Sequence, residues 1–307
     1  MESRNIEIEN HRINCFLSRI GPNFDYKISR CIFTSCVDAT PISASNVDAC
    51  VLLENCLFDQ IRGDMDGGCL HFNCSDRSFN VALDKVIASR CKTENFRASF
   101  AFIQSDGETQ INDLSIDRCS LEETNAHYTL FVSSNDIDHK GGNATNCLCC
   151  FDLYTYEMKS ASATGKLSRC QFKECVMSMH GIVVLQKGAH KLEYLTLIDN
   201  KQHTKGNSVI IYSYGDGTDV HVSNCYLSRN EKVVFRAADN CKIVVVDCMV
   251  DVWNVYNVFS SSNIKKSGEM PLTVVIDPVR LEDRKEQDGR NLMLKIICVF
   301  SISGYSA

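Results

Sequence analysis

The chain of 307 residues contains eighteen cysteines, whose side chains can serve several kinds of chemistry. Cysteines in such number serve as disulfides, as metal ligands or as small buried apolar groups. The groups closest to a metal-binding pattern are Cys147 with Cys149 and Cys150, and Cys69 with Cys74. Neither has a second pair of ligands at zinc-finger spacing, so the sequence predicts no metal site.

Paired aspartates are candidates for general acid and base chemistry. That chemistry needs two carboxyl groups a few ångströms apart with perturbed pKa values. Each pair lies at or beside the end of a strand-like segment, where aspartate ordinarily forms solvated turns. We therefore expect turn residues and predict no catalytic residue. The pairs are Asp64 and Asp66, Asp113 and Asp117, Asp136 and Asp138, and Asp216 and Asp219.

Tyrosine pairs are candidates for a stacking platform that binds a sugar or a protein. Tyr154 and Tyr156, like Tyr212 and Tyr214, are two residues apart, which places both rings on one face of a strand. These four residues are the predicted binding residues, with packing beneath a loop as the alternative. Trp253 with Tyr256 is a further aromatic pair. Histidines in different units have no Ser or Cys nucleophile tied to them, namely His71, His127, His180 and His221.

The cysteines, aspartates and tyrosines lie in or between copies of a recurring nine-residue pattern, which predicts the strands that position them. Its form is apolar-x-x-C/L-x-F/L-x-x-C/N, and clear copies begin at Ile28, Leu167, Leu192 and Val222. Counting weaker copies, including one at Ala144, the central anchors are residues 31, 56, 86, 114, 147, 170, 195, 225 and 248. An average spacing of about 27 residues is typical of stacked repeats.

Each unit contains at least two predicted strands. Apolar residues alternate with polar ones within each copy, which indicates a half-buried strand. A short β-branched and aromatic run follows, as in residues 181–185 and 208–212. We predict an all-β, right-handed parallel β-helix of about nine rungs. A leucine-rich-repeat horseshoe is the alternative, because residues 192–200 satisfy that consensus.

The positions of the cysteines favour a structural ladder inside the solenoid. Cysteine exchanges with leucine and valine at the central anchor, as a small buried hydrophobe would. Five residues later, cysteine exchanges with asparagine, which indicates a tight corner. Disulfides and metal binding remain alternatives. The ladder residues are Cys31, Cys56, Cys147, Cys170, Cys225 and Cys248 at the anchor, and Cys36, Cys91, Cys119, Cys175, Asn200 and Asn230 at the corner.

Residues 28–260 resemble the repeats of the pectate-lyase-like superfamily of right-handed β-helices. The repeat is similar to those of polymorphic outer membrane proteins and protist surface proteins, and Gly67 and Gly68 match the glycine pair that introduces their second strand. The resemblance implies a non-catalytic scaffold for surface adhesion, or for protein or carbohydrate binding. The alternative is a divergent polysaccharide lyase or glycoside hydrolase. The hydrolase signatures Asn-Thr-Asp, Asp-Asp, Gly-His-Gly and Arg-Ile-Lys are absent.

Composition and the ends of the chain add further limits. A net charge of −6 with interspersed signs argues against nucleic-acid binding. No nucleotide-binding motif indicates a small-molecule cofactor. The predicted parts are an N-terminal cap (1–27), the β-helix (28–262), and a terminal strand, charged linker and apolar tail (263–307). The resemblance implies a cell-surface or extracellular location, although no signal peptide or complete transmembrane segment is visible.

Overall fold

A computed structural model describes residues 4–9, 11–13, 20–93, 97–120, 127–202, 209–230, 233–238, 240–251, 255–256 and 260–262. These residues form 32 strands and no helix, and the strands pair in parallel. The chain winds through about seven turns of an all-β parallel solenoid. The predicted fold class is confirmed, and the count of nine rungs is approximate. The leucine-rich alternative is excluded, since it requires helical segments. Handedness stays a prediction.

The nine-residue repeats form the largest sheet, which we call wall 1. It contains 18 strands in which each rung hydrogen-bonds to the next. Its strands are β1 (Arg4–Glu9), β2 (Arg12–Ile13), β3 (Phe24–Ser29), β4 (Ile32–Thr34), β6 (Ala49–Glu54), β7 (Leu57–Asp59), β10 (Phe79–Asp84), β11 (Ile87–Ser89), β14 (Glu108–Asp117), β16 (Asp136–Thr145), β19 (Thr164–Lys173), β22 (Ala189–Glu193), β23 (Thr196–Ile198), β26 (Asp219–Ser223), β27 (Tyr226–Ser228), β29 (Lys242–Val246), β30 (Met249–Val250) and β32 (Ser260–Ser262).

The apolar runs between the repeats form a second sheet of nine strands, wall 2. Its strands are β5 (Ile42–Ser45), β9 (Leu70–Cys74), β13 (Ala98–Ser105), β15 (Tyr128–Ser134), β18 (Asp152–Met158), β21 (Gly181–Gln186), β25 (Val209–Tyr214), β28 (Val233–Ala237) and β31 (Val255–Tyr256). Short strands complete the turns in two small sheets: β8 (Arg62–Gly63) with β12 (Lys92–Thr93), and β17 (Leu148–Cys149) with β20 (Val176–Met177) and β24 (Lys201–Gln202).

Left-handed residues bend the copies anchored at residues 31 through 225 at two places, before the anchor and before the corner. In one copy they are Arg30 (φ 53°) and Ser35 (φ 57°). Their N–H groups donate to the carbonyls of Glu54 and Asp59 on the next rung, at 2.9 and 3.0 Å. The backbone hydrogen bonds between rungs therefore continue through both bends. They offset part of the strain of the left-handed conformation, which most non-glycine residues avoid.

One copy lies in a different register from the predicted one. Wall 1 pairs Gly142 with Leu114 on one side and with Cys170 on the other, so Gly142 is the anchor of this copy. The prediction of Cys147 as an anchor is wrong. Because the anchor of this copy is glycine and not an apolar residue or cysteine, the sequence pattern does not identify the copy. The spacing of Ala144 and Cys147 matches the repeat by coincidence.

Cys147 belongs to the corner column. Five residues of this column donate from the side chain to a carbonyl of the preceding rung. Thiol and carboxamide share this ability, so asparagine can take the place of cysteine in this column. The bonds are Cys91 to Phe58 (3.6 Å), Cys147 to Ile116 (3.9 Å), Cys175 to Ala144 (3.4 Å), Asn200 to Phe172 (3.0 Å) and Asn230 to Leu197 (2.7 Å).

The other ladder residues are also buried in the structure. Cys31 and Cys36 are fully enclosed, and Cys56, Cys119, Cys170, Cys225 and Cys248 are at most 3 % exposed. Phe33 and Phe58, on adjacent rungs, stack with ring centroids 4.7 Å apart. All sixteen cysteines of the described residues are free thiols. The interior is thus a continuous apolar column that includes the cysteines.

The solenoid ladder begins within the segment 1–27, because β1 pairs in parallel with β3. The chain divides into a unit at Met1–Ser267 and a second unit at Gly268–Ala307. The predicted terminal region 263–307 lies outside the described residues, as do Trp253 and the side chain of Tyr256.

Candidate functional site

Nine aromatic rings follow one another along the outer face of wall 2. Neighbouring ring centroids are 4.4 to 5.9 Å apart, within the range of favourable aromatic contacts. We call this series the aromatic strip. Its members, in order of contact, are His71, Phe102, Phe131, Tyr128, His127, Phe151, His180, Tyr212 and Tyr214.

The register between the strands of wall 2 brings the strip residues together. Phe102 pairs with Phe131 on the adjacent strand. Tyr212 occupies the same outward register position, three rungs beyond Phe131. Outward side chains at one register position stack along the solenoid axis, about 4.8 Å apart. His180 reaches the strip from the bend before β21, where its N–H donates to the Phe151 carbonyl at 3.2 Å.

The two halves of the strip differ in exposure. His71, Phe102 and Phe131 are 7 %, 1 % and 6 % exposed. Arg97 lies over the Phe102 ring, 5.7 Å from its centroid. In contrast, His127 is exposed and the remaining rings are half-buried. Only this second half, comprising His127, Tyr128, Phe151, His180, Tyr212 and Tyr214, is open to a ligand.

The prediction that Tyr154 and Tyr156 bind a ligand is wrong. Both rings point into the solenoid and are 1 % and 2 % exposed. The Tyr154 ring packs edge-on against Phe172 at 5.0 Å, and the Tyr156 hydroxyl hydrogen-bonds to Nδ1 of His139 at 2.6 Å. A spacing of two residues places both tyrosines of a pair on the same face of a strand, but it does not show whether that face points inward or outward. Tyr154 and Tyr156 point inward, whereas Tyr212 and Tyr214 point outward.

A buried carboxylate supports the accessible half of the strip. Nδ1 of His180 lies 3.2 Å from Oδ1 of Asp152, whose side chain is 1 % exposed. Thr155 donates its hydroxyl to the other carboxylate oxygen at 3.1 Å, and the N–H of Gly181 donates to Oδ1 at 3.3 Å. The Asp152 carboxylate raises the pKa of His180 above its ordinary value, because it favours the charged imidazole.

Polar and cationic groups surround the two accessible tyrosines. Tyr212 and Tyr214 stack at 5.2 Å, and the Arg236 guanidinium lies over the Tyr212 ring, 5.4 Å from its centroid. Gln186 donates to the Tyr214 hydroxyl. Burial raises the pKa of Tyr214, so this hydroxyl stays protonated at neutral pH. This cluster of side chains around Tyr212 and Tyr214 resembles the centres of protein interfaces, which are rich in aromatic residues and arginine.

The candidate aspartates bond mainly to neighbouring backbone and side-chain groups. Oδ1 of Asp64 and of Asp66 accepts a backbone N–H, from Thr40 at 2.8 Å and Arg97 at 3.1 Å. Asp113 is a left-handed bend residue, and burial raises the pKa of its carboxyl group. Asp138 is exposed. The remaining partners are Arg118 and Thr145 for Asp117, Thr164 for Asp136, Asn240 for Asp216 and Lys242 for Asp219.

Wall 1 carries a surface groove. It is a groove of about 440 Å³ across the outward faces of β1, β3, β6, β10 and β14. Glu7, Asp25, Lys27, Cys50 and Asn80 contribute to its lining. Its mixed charges and single exposed thiol form no recognisable reaction centre. The exposed His221 also lies on wall 1, in β26, and not on the strip.

Sequence analysis predicted two of the nine strip residues, Tyr212 and Tyr214, as binding residues. It named His71, His127 and His180 only as histidines without a nucleophile, and it missed the proximity of all five. Phe102 and Phe131 were absent from the candidates, because wall 2 strands are apolar on both faces and show no alternation. The variable loop lengths also conceal which residues share a register. In-register alignment of the apolar runs would have placed Phe102, Phe131 and Tyr212 in one column.

Two kinds of site are absent from the described residues. No group of three or more His, Cys, Asp or Glu side chains there is arranged to hold a metal ion. Within the same residues, no helix is long and apolar enough to cross a membrane.

Comparisons of the chain with protein-family models, with curated proteins and with solved structures find no match.

Proposed function

We propose that this protein is a non-catalytic repeat scaffold that binds a protein partner through the accessible half of the aromatic strip. The observation that carries the proposal is the continuous contact from His127 and Phe151 through His180 to Tyr212 and Tyr214. Tyrosine and arginine supply much of the affinity at protein interfaces. The repeat's resemblance to surface proteins of the pectate-lyase-like superfamily supports a role in adhesion.

The contacts of Tyr212 favour a protein over a neutral sugar as the ligand. A sugar stacks on an open ring face, whereas Tyr212 already contacts Tyr214, His180 and Arg236. Such a cluster presents ring edges, a hydroxyl and a guanidinium, which suit the mixed polar and apolar surface of a protein. Adjacent rungs also fix these side chains on rigid strands, which lowers the entropic cost of binding.

Panning a random peptide display library against the full-length protein tests the proposal. Peptides should be enriched on the wild type and lost on the double variant Tyr212→Thr/Tyr214→Thr, which retains strand-forming residues. Tyr226→Thr is a matched control, because Tyr226 is a half-buried strand tyrosine in wall 1. Absence of enriched peptides, or enrichment that survives the double substitution, would overturn the proposal.

The His180–Asp152 pair favours a second candidate, a divergent polysaccharide lyase or glycoside hydrolase. An imidazole held by a buried carboxylate is suited to proton transfer. Release of new reducing ends from a panel of polysaccharides, abolished by His180→Gln, would support catalysis. No release is expected from a binding scaffold.

A further inference from the structure

The accessible half of the strip carries positive groups on a protein of net charge −6. The Arg236 guanidinium and the His180 imidazole both lie beside the Tyr212 ring, at 5.4 and 5.6 Å from its centroid. Cations in this position add favourable cation–π energy and are held in place by the ring. The strip thus differs in charge from the chain as a whole.

The nearby acidic groups leave the Arg236 charge in place, while Asp152 offsets the charge of the His180 imidazole that it favours. Asp152 is buried and contacts His180 itself, so it favours the charged imidazole. Glu157 forms an ion pair with Lys187 at 2.9 Å. The other titratable side chains of this region are His127, Tyr128, Tyr212 and Tyr214. Burial raises the pKa of the Tyr128 and Tyr214 hydroxyls, which keeps both neutral.

We infer that the strip recognises a partner segment bearing an aspartate or glutamate side chain, with Arg236 as the main contact and His180 as the second. This inference rests on the proposed function and names the chemistry of the partner. A guanidinium binds a carboxylate through two parallel hydrogen bonds, which gives orientation as well as affinity. The surrounding tyrosines supply the apolar contact of the same interface.

The His180 contribution makes binding depend on pH. The imidazole attracts a carboxylate only in its charged form. Asp152 favours that form, while Arg236 and burial oppose it. Affinity should therefore be highest at acidic pH, while the partner carboxylate is still ionised, and should fall as pH rises through the pKa of His180.

The test measures binding of a fluorescein-labelled hexaglutamate peptide to the full-length protein by fluorescence anisotropy. A salt concentration of about 0.15 M suppresses long-range attraction. We expect Arg236→Gln to weaken binding about tenfold or more, as loss of a charged hydrogen-bonding group does. Arg229→Gln should have no effect, because Arg229 is an exposed arginine that pairs with Asp199 away from the strip. A hexaglutamine peptide should not bind.

Three outcomes would overturn the inference. They are no binding of hexaglutamate, equal binding by wild type and Arg236→Gln, and preference for oligogalacturonate over the peptide. Peptides from the display library show whether the acidic-partner inference fails alone or whether the proposed binding function fails as well. Library peptides that need Tyr212 and Tyr214 but lack acidic residues would leave the binding scaffold standing and remove the acidic partner.

Discussion

The imidazole of His180 and the carboxylate of Asp152 lie 3.2 Å apart, at the point where the bend before β21 meets the start of β18. The histidine is partly exposed and the aspartate is buried, so the pair links the interior of wall 2 to its surface. Because the carboxylate favours the charged imidazole, the pair connects the fold to the charge of the candidate binding surface.

Replacing Asp152 with asparagine should lower the pKa of His180. The neutral amide removes the charge that favours imidazolium, while burial, which disfavours it, remains. Titration of the imidazole proton resonances by NMR measures the change. An unchanged His180 pKa in Asp152→Asn would show that the pair does not set the charge of the strip.

Acid should destabilise the protein through two buried histidines. Burial lowers the pKa of His139 to about 3 and of His190 to about 4, against an ordinary value of 6.5. Since these folded-state values are depressed, the unfolded chain takes up protons first. The stabilising contribution is present above pH 6.5 and is lost as pH falls toward 3.

Urea unfolding midpoints measured across this pH window check the prediction. His139→Leu should flatten the acid dependence, because it removes a buried imidazole whose folded-state pKa is lowered to about 3. His221→Leu, at an exposed site, should retain the wild-type slope. A wild-type slope in His139→Leu would contradict the assignment.

The corner column should accept asparagine more readily than valine. Cys175→Asn retains a donor for the Ala144 carbonyl, as Asn200 does for Phe172 one rung later. Cys175→Val leaves the carbonyl without that bond and should cost about 1–3 kcal/mol. The free energy of unfolding in urea distinguishes the variants. A valine variant as stable as the asparagine variant would mean that size alone governs this column.

Gly142→Ala tests the corrected register. Gly142 has φ +121°, and an added Cβ would lie 2.1 Å from the Leu114 carbonyl oxygen. We expect a loss of about 3 kcal/mol or more, since backbone cannot move aside as a side chain can. Gly141→Asn is the matched control, because its φ of +78° tolerates asparagine and its nearest neighbour is the Asp113 side chain. Equal losses would contradict a special role for Gly142.

The sequence predicted the all-β solenoid because alternation and repeat spacing are properties of the chain itself. The assignment of Cys147 failed, because Gly142 at the anchor conceals a copy that only strand pairing reveals. The Tyr154 and Tyr212 pairs have the same spacing but opposite orientation, which depends on where each strand begins. Contacts such as Phe131 with Phe102 depend on register across variable loops. The candidate site was therefore visible only in fragments.

Hydroxyl-radical footprinting of the full-length protein, with and without a library-selected peptide, tests most directly where a partner binds. Oxidation of Tyr212, Tyr214 and Phe151 should fall when the peptide is added, while Cys50 in the wall 1 groove should react as before. Protection of the groove, with unchanged oxidation of the three strip residues, would contradict binding through the aromatic strip.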